Sequence, residues 1–453
     1  MRYNSYRQTE IPWVDEIPSH WDQIRNGGLF DYHQDKVGER YSEYQLLSLT
    51  TQGIRCKDIH DASGKVPASY DNYQEVNSGD MVFCLFDLDC SAVFSGLSKY
   101  HGMITSAYDV MKPRDGIVNE RFLDYWYQSV FAGRYYKIFA KSVRYTINYD
   151  IFKAIKTPVP PREEQDQIVR YLDWQTSKIN KLIHGYQRQI KLLEERKLTI
   201  VNDAVVRGID STAPRTLTKA EWMGLVPDTW RQMRMKNFFT EINVRSLEGK
   251  EPHLSMSQKK GLVTDEENIG RPLLSESYAG AKLCEKDDLV LNRLKAHLGV
   301  FALAPIQGIV SPDYTVLRLN NNMVIPKYAE YLLKSNDCRK ELRIRVRGIV
   351  EGFWRLYTED LGSIPVCIPS LEEQRTILSF VENKTASINV AINKITQEID
   401  FLKEYRTRLI SDVVTGQLDV RGIEIPDYTP EEETEEISDT ENLTDEEVDT
   451  DAE

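Results

Sequence analysis

Two stretches of the chain carry apolar residues in a seven-residue rhythm. In the first, Leu172, Ile179, Tyr186, Leu193 and Ile200 recur at that interval, with Ile183, Ile190 and Ala204 in companion positions. In the second, Val381, Ile388, Ile395, Leu402 and Leu409 do the same, accompanied by Ile392, Ile399 and Val413. A seam kept up over four heptads predicts a long helix that packs along another helix. Both stretches open alike, "PPREEQDQIV" from Pro160 and "PSLEEQRTIL" from Pro369, and the anchors are displaced by 209 residues (374 less 165 for the glutamines). Pro161 suits a first helical turn, the glutamate pair complements the positive end of the helix dipole, and Ser370 with Glu373 spells a capping box. Gly208 and Gly416 suit left-handed helix ends.

The same displacement relates the segments upstream. "WVDEIPSHW" holds Trp13, Pro18 and Trp21, and "WMGLVPDTW" holds Trp222, Pro227 and Trp230. Between these anchors and the helices, short β-rich runs ("YQLLSLTT", "DMVFCLF", "DLVLNRL", "YTVLRLN") alternate with short helical ones ("NERFLDYWYQSVF", "PKYAEYLLKSND"). The pattern predicts an α+β domain of about 150 residues, present twice. Each half is therefore a variable module followed by a uniform helix, and the economical partner for each helix is the other. Related by a pseudo-twofold axis crossing them, the helices pair antiparallel and hold the variable modules at opposite ends of a rod of roughly 65 Å.

Charge changes the picture in one respect. The net charge of −13 looks wrong for a nucleic-acid binder, but the segment from Asp427 to Glu453 holds fourteen acidic residues and no Lys or Arg, which leaves the remainder at +1 (−13 less −14). The tail is expected to be disordered, and the near-neutral body leaves room for basic patches. No run of about 18 apolar residues and no apolar leader occurs, so a cytoplasmic location is expected. The six cysteines form no C-x-x-C pair and set no metal-ligand spacing with the histidines; idle thiols are the plain expectation. No phosphate loop, dinucleotide-binding glycine turn, H-E-x-x-H or G-x-S-x-G is present, so neither a metal nor a catalytic residue is nominated.

Basic and aromatic residues gather late in each variable module. The first offers Arg134, Lys137, Lys141, Arg144 and Tyr145, and the second Arg343, Arg345, Arg347 and Arg355. Strand-end segments add Lys99 with His101, and Asn292, Arg293, Lys295 with His297. Lys and Arg neutralise phosphates, while Arg and Asn make bidentate contacts to base edges. A solvated basic helix face would look the same for any single cluster; matching clusters in two copies favour double-stranded DNA.

The duplicated "P-x-x-EEQ" helix starts, the "LLEERKLTIVNDAVVRG" and "FLKEYRTRLISDVVTG" helix ends and the "W-x-G-x-[IV]-P-x-x-W" entrances resemble the specificity subunit of type I restriction-modification systems, over residues 10 to 416. The first entrance departs at Asp15, where the second has Gly224. The resemblance implies a target-recognition domain at 1–156, a spacer helix at 157–208, a second recognition domain at 209–365, a second spacer helix at 366–416, and the acidic tail at 417–453. It further implies a non-catalytic chain whose recognition domains each read one half of a split, asymmetric DNA site. The paired helices would set the gap and dock two methyltransferase subunits, to which restriction subunits attach. S-adenosylmethionine, ATP and Mg2+ would belong to those partners, with no cofactor in this chain. Two other readings stay open: a coiled-coil scaffold that binds proteins, and the recognition subunit of a methyltransferase without a nuclease.

Overall fold

A computed structural model describes residues 2–59, 69–140, 145–257, 261–264, 278–348 and 354–430, with the side chain at 297 excepted. The described residues divide into two compact units, one drawn from residues 2–187 with 396–430 and one from Arg188–Ile395. Each unit thus contains one variable module, one half of the first long helix and one half of the second.

The first long helix runs Arg162–Arg207 and the second Leu371–Val414. The predicted seam faces inward: Leu172, Ile179, Ile183, Val381, Ile388, Ile399 and Leu409 are buried, and Tyr186, Ile190, Leu193, Ile200, Ile392, Ile395 and Leu402 half-buried. Burial is deepest toward the helix ends, where the module packs over the seam, and shallower in the middle, where two helices alone cannot enclose a side chain. Each unit holds a contact between the two helices: in the first, Arg406 Nη1 donates to Asn180 Oδ1 at 2.9 Å; in the second, Lys197 Nζ donates to Asn389 Oδ1 at 2.8 Å.

The two modules share one topology. In the first, strands β1 (Phe30–His33), β2 (Met81–Phe83), β3 (Ser95–Leu97) and β4 (Asp109–Pro113) form an antiparallel sheet in the order β1-β4-β2-β3. In the second, β5 (Phe239–Ile242), β6 (Leu289–Asn292), β7 (Phe301–Leu303) and β8 (Tyr314–Leu319) repeat it as β5-β8-β6-β7. The central strands β2 and β6 are buried along their whole length, because a helix closes one face and small hairpins the other. The helix in the first module, Glu120–Ala132, starts where the Asn119 side chain accepts from the Arg121 and Phe122 amides. In the second, Pro326–Lys334 has proline in its first turn, and Asn336–Arg343 is capped by Ser335, which accepts from Cys338 N. The first core is aromatic, with Phe83 meeting Tyr127 at 4.8 Å and Phe152 at 4.9 Å. The second is mostly aliphatic and takes in Val205 from one long helix and Ile377 and Val381 from the other.

The repeated helix opening does more than its local reading supplies. Glu164, buried, accepts the Trp21 indole N–H at 2.9 Å, faces His20 Nε2 at 2.8 Å and accepts from the Tyr3 hydroxyl. Its counterpart Glu373 accepts the Trp230 indole N–H at 2.9 Å. Gln165 donates to the carbonyls of Pro160 and Ile117 and accepts the Asn119 amide; Gln374 donates to Pro369 and Met323 and accepts the Ile325 amide. The predicted capping box is only half formed. Ser370 Oγ accepts from Glu373 N at 3.2 Å, but the Glu373 carboxylate turns to the indole of Trp230 instead of back to its own helix start. Each tryptophan entrance is therefore latched to the helix that leaves the same module.

Gly208 and Gly416 end the helices with φ of 75° and 73°, as expected. The expected tail begins later than residue 417. Val420 is fully buried and residues 417–430 lie on the first unit, because Gln167 and Ser177 of the first long helix donate to the carbonyls of Val420, Ile423 and Thr429. The acidic run from 431 onward lies outside the described residues.

Candidate DNA interface

In both modules the loop after the third-placed strand meets the segment that follows the helical stretch. In the first, Ile147 N donates to Leu85 O at 2.9 Å; in the second, Leu356 N donates to Arg293 O at 3.0 Å. These contacts align Leu85 with Arg293, and the strand registers align Asp109 with Thr315 and Tyr32 with Glu241. One end of each sheet is thus the same place in two copies, built from different side chains.

In the second module this place is polar. Arg293 Nε donates to Thr315 Oγ1 at 2.7 Å and Nη2 reaches Glu241 Oε1 at 3.4 Å, which holds one edge of the guanidinium fork. Lys282, buried beneath, donates to the Tyr314 carbonyl at 2.7 Å; burial, then neighbouring Arg293, lower its pKa. Arg347 and Arg355 are exposed and stand on a two-way backbone bridge (2.9 and 2.8 Å), the Arg347 guanidinium meeting Asp360. Arg343 is exposed at a helix end. The segment therefore gathers Arg293, Arg343, Arg347 and Arg355 in one module with their heads at or near the surface.

In the first module the same place is aromatic and acidic. Tyr32 stacks on Tyr149 with centroids 4.2 Å apart and its hydroxyl bonds Asp109 Oδ1 at 3.0 Å. Burial raises the pKa of Asp109. Lys137 lies 4.2 Å over the Tyr145 ring. Leu85, at the Arg293 position, is buried.

Several nominated residues have other work. Arg134 donates to the carbonyls of Leu88 and Ser91 and lies over Phe131, so it braces the loop instead of facing outward. Arg345 donates from both Nε and Nη2 to one oxygen of Glu341, Oε1, at 2.8 and 2.6 Å. Asn292, buried, accepts from the amides of Leu294 and Lys295 and so shapes the loop turn. Lys295 is half-buried in that loop. Lys99 and His101 are not the counterparts of the 292–297 loop. They are exposed at the opposite end of β2, where His101 Nδ1 lies 2.9 Å from Asn77 Oδ1 and tilts on Tyr44. Lys141, Arg144 and the His297 side chain lie outside the described residues. Sequence reading missed Tyr32, Glu241 and Thr315, which stand far from the basic clusters in sequence, and Tyr149, which follows Tyr145 by four residues. Among the described residues no group of His, Cys, Asp and Glu is placed to hold a metal ion, and no helix is long and apolar enough to cross a membrane.

Two copies of one α+β module, each latched to a long helix and each ending its sheet in a chemically different surface, define a duplicated recognition protein. Residues 227–400 match the family model described as "Type I restriction modification DNA specificity domain". The putative type I restriction enzyme MjaX specificity subunit of Methanocaldococcus jannaschii is 22% identical over 92% of this chain and 97% of its own length. The MjaVIII specificity subunit of the same organism is 21% identical over 90% and 95%. A solved chain, described in terms of "complex assembly" and "conformational transition of the type I R-M system", shares the fold with a TM-score of 0.56 at 14% identity, covering 89% of this chain and 99% of its own. Residues 227–400 thus carry the specificity domain of type I restriction-modification systems, and nearly the full length of the chain is similar to specificity subunits of such systems.

Proposed function

We propose that each sheet end described above reads one half of a bipartite DNA site. The observation that carries this is the duplication itself: one backbone position holds Arg293, Thr315 and Glu241 in one module and Leu85, Asp109 and Tyr32 in the other. Identical scaffolds with different chemistry are what an asymmetric pair of half-sites requires. Arg293, its fork held on one edge, suits guanine O6 and N7 in a major groove, and Arg343, Arg347 and Arg355 suit phosphates. The antiparallel helices serve as the spacer that sets the gap, and their exposed faces dock two methyltransferase subunits, through which restriction subunits join. Methyl transfer from S-adenosylmethionine and the ATP- and Mg2+-dependent steps fall to those partners, and this chain supplies sequence choice alone.

Mapping methylated bases across the genome of cells with and without an intact gene tests the reading. A split, asymmetric motif that disappears on deletion supports it and gives both half-sites and their spacing. If no motif depends on the gene while a methyltransferase partner is expressed, the reading fails and a protein-binding scaffold takes its place.

A further inference from the structure

The two long helices present corresponding faces to different surroundings. After the second helix the chain turns at Gly416 and residues 417–430 run back along the first. The Val420 and Ile423 carbonyls accept from Gln167 Nε2 at 3.1 and 2.8 Å, and the Thr429 carbonyl accepts from Ser177 Oγ at 3.4 Å. Arg421, paired with Asp419 at 2.7 Å, lies 4.7 Å over the Tyr3 ring. After the first helix, by contrast, Gly208 turns the chain directly into the strand Arg215–Leu217. Displaced by 209 residues, the positions of Gln167, Tyr171, Trp174 and Ser177 are taken on the second helix by Thr376, Phe380, Asn383 and Ala386. Tyr171 and Ser177 are buried and Gln167 and Trp174 half-buried, whereas Thr376, Asn383 and Ala386 are exposed and Phe380 half-buried.

We infer that these faces are two copies of one docking surface and that the chain's own strap, residues 417–430, occupies the copy on the first helix. The inference rests on the reading that methyltransferase subunits dock on the helices. The strap carries Leu418, Val420, Ile423 and Ile425 and is held by side-chain bonds to its backbone carbonyls, an attachment that any extended segment of similar shape can replace. A methyltransferase subunit thus meets an open face on the second helix and an occupied one on the first. The two binding events are unequal, and the second displaces the strap.

Calorimetric titration and native mass spectrometry of the full chain with its methyltransferase subunit test this against two variants. One ends after Gly416; the other is full-length Gln167→Ala, which keeps the helix and removes the two carbonyl ties to the strap together with the exposed bond that Gln167 Oε1 accepts from Arg170 at 2.7 Å. The unaltered chain is expected to show two events separated by about tenfold or more in Kd, or about 1.4 kcal/mol. Both variants should bring the weaker event toward the stronger while leaving the stronger unchanged. Equal events in the unaltered chain overturn the inference, as does a weaker event that loosens further in both variants, which would make the strap part of the partner's interface. Failure of every form to bind any methyltransferase subunit overturns the docking reading itself, a different result from equal binding.

Discussion

Glu164 shows how much one side chain can carry. It takes the Trp21 indole, His20 and the Tyr3 hydroxyl at once, while its neighbour Glu163 is exposed. Removing it strands a buried indole N–H, which costs about 1–3 kcal/mol, whereas an exposed neighbour is worth within about 0.5 kcal/mol. Glu164→Ala should therefore lower the thermal midpoint clearly and Glu163→Ala hardly at all. Arg293→Ala is expected to relax discrimination at one base of one half-site by about 1–3 kcal/mol, with Arg293→Lys failing to restore it because an ammonium cannot form the fork. The methylated motif of each variant is the readout; uniform weakening at every base would make Arg293 a phosphate clamp instead. The thiols give a pH-dependent check. Cys56 and Cys90 are exposed and the other four buried. Partial desolvation by its surroundings, followed by the Asp89 carboxylate, raises the Cys90 pKa, so its thiolate forms late and its labelling rate should still climb as pH rises through the ordinary thiol range. Cys84, Cys284 (pushed up to about 11 by burial), Cys338 and Cys367 should label only on unfolding.

At the scale of elements, depth along the seam decides the cost of a truncation. Leu172 is fully buried beneath the first module and Leu193 half-exposed between two helices. Leu172→Ala should cost about 2–5 kcal/mol and Leu193→Ala distinctly less, as denaturant midpoints would show. What was legible in the sequence follows the same division. The helices, their glycine ends and the duplication were readable because heptad spacing and a fixed displacement are properties of one dimension. The sheet-end site was not, since Tyr32 meets Asp109 and Glu241 meets Arg293 only when distant strands pair, and there the displacement slips from 209 between long-range anchors to 208 between Leu85 and Arg293. The latch was half visible: its residues recur in the sequence, but a local reading assigned the glutamates to the helix dipole when one of each pair belongs to a tryptophan across the module. Lys99 and His101 were misplaced because proximity to a strand end says nothing about which end.

At the scale of the whole molecule, the spacer reading makes a length-dependent claim. Inserting one heptad into each long helix keeps the seam in phase and adds about 10 Å of helix. The gap in the methylated motif should widen by about three base pairs, at 3.4 Å per step; an unchanged gap would show that something other than the helices sets it. The division of the chain has a consequence for synthesis as well. The second unit is drawn from the continuous stretch Arg188–Ile395, while the first needs Met1–Gln187 together with residues from Thr396 onward. Domains ordinarily fold in the order in which the ribosome makes them. Here the half made first must wait for the last helical turns to emerge, so a message interrupted after codon 395 yields a finished second unit and an unfinished first one.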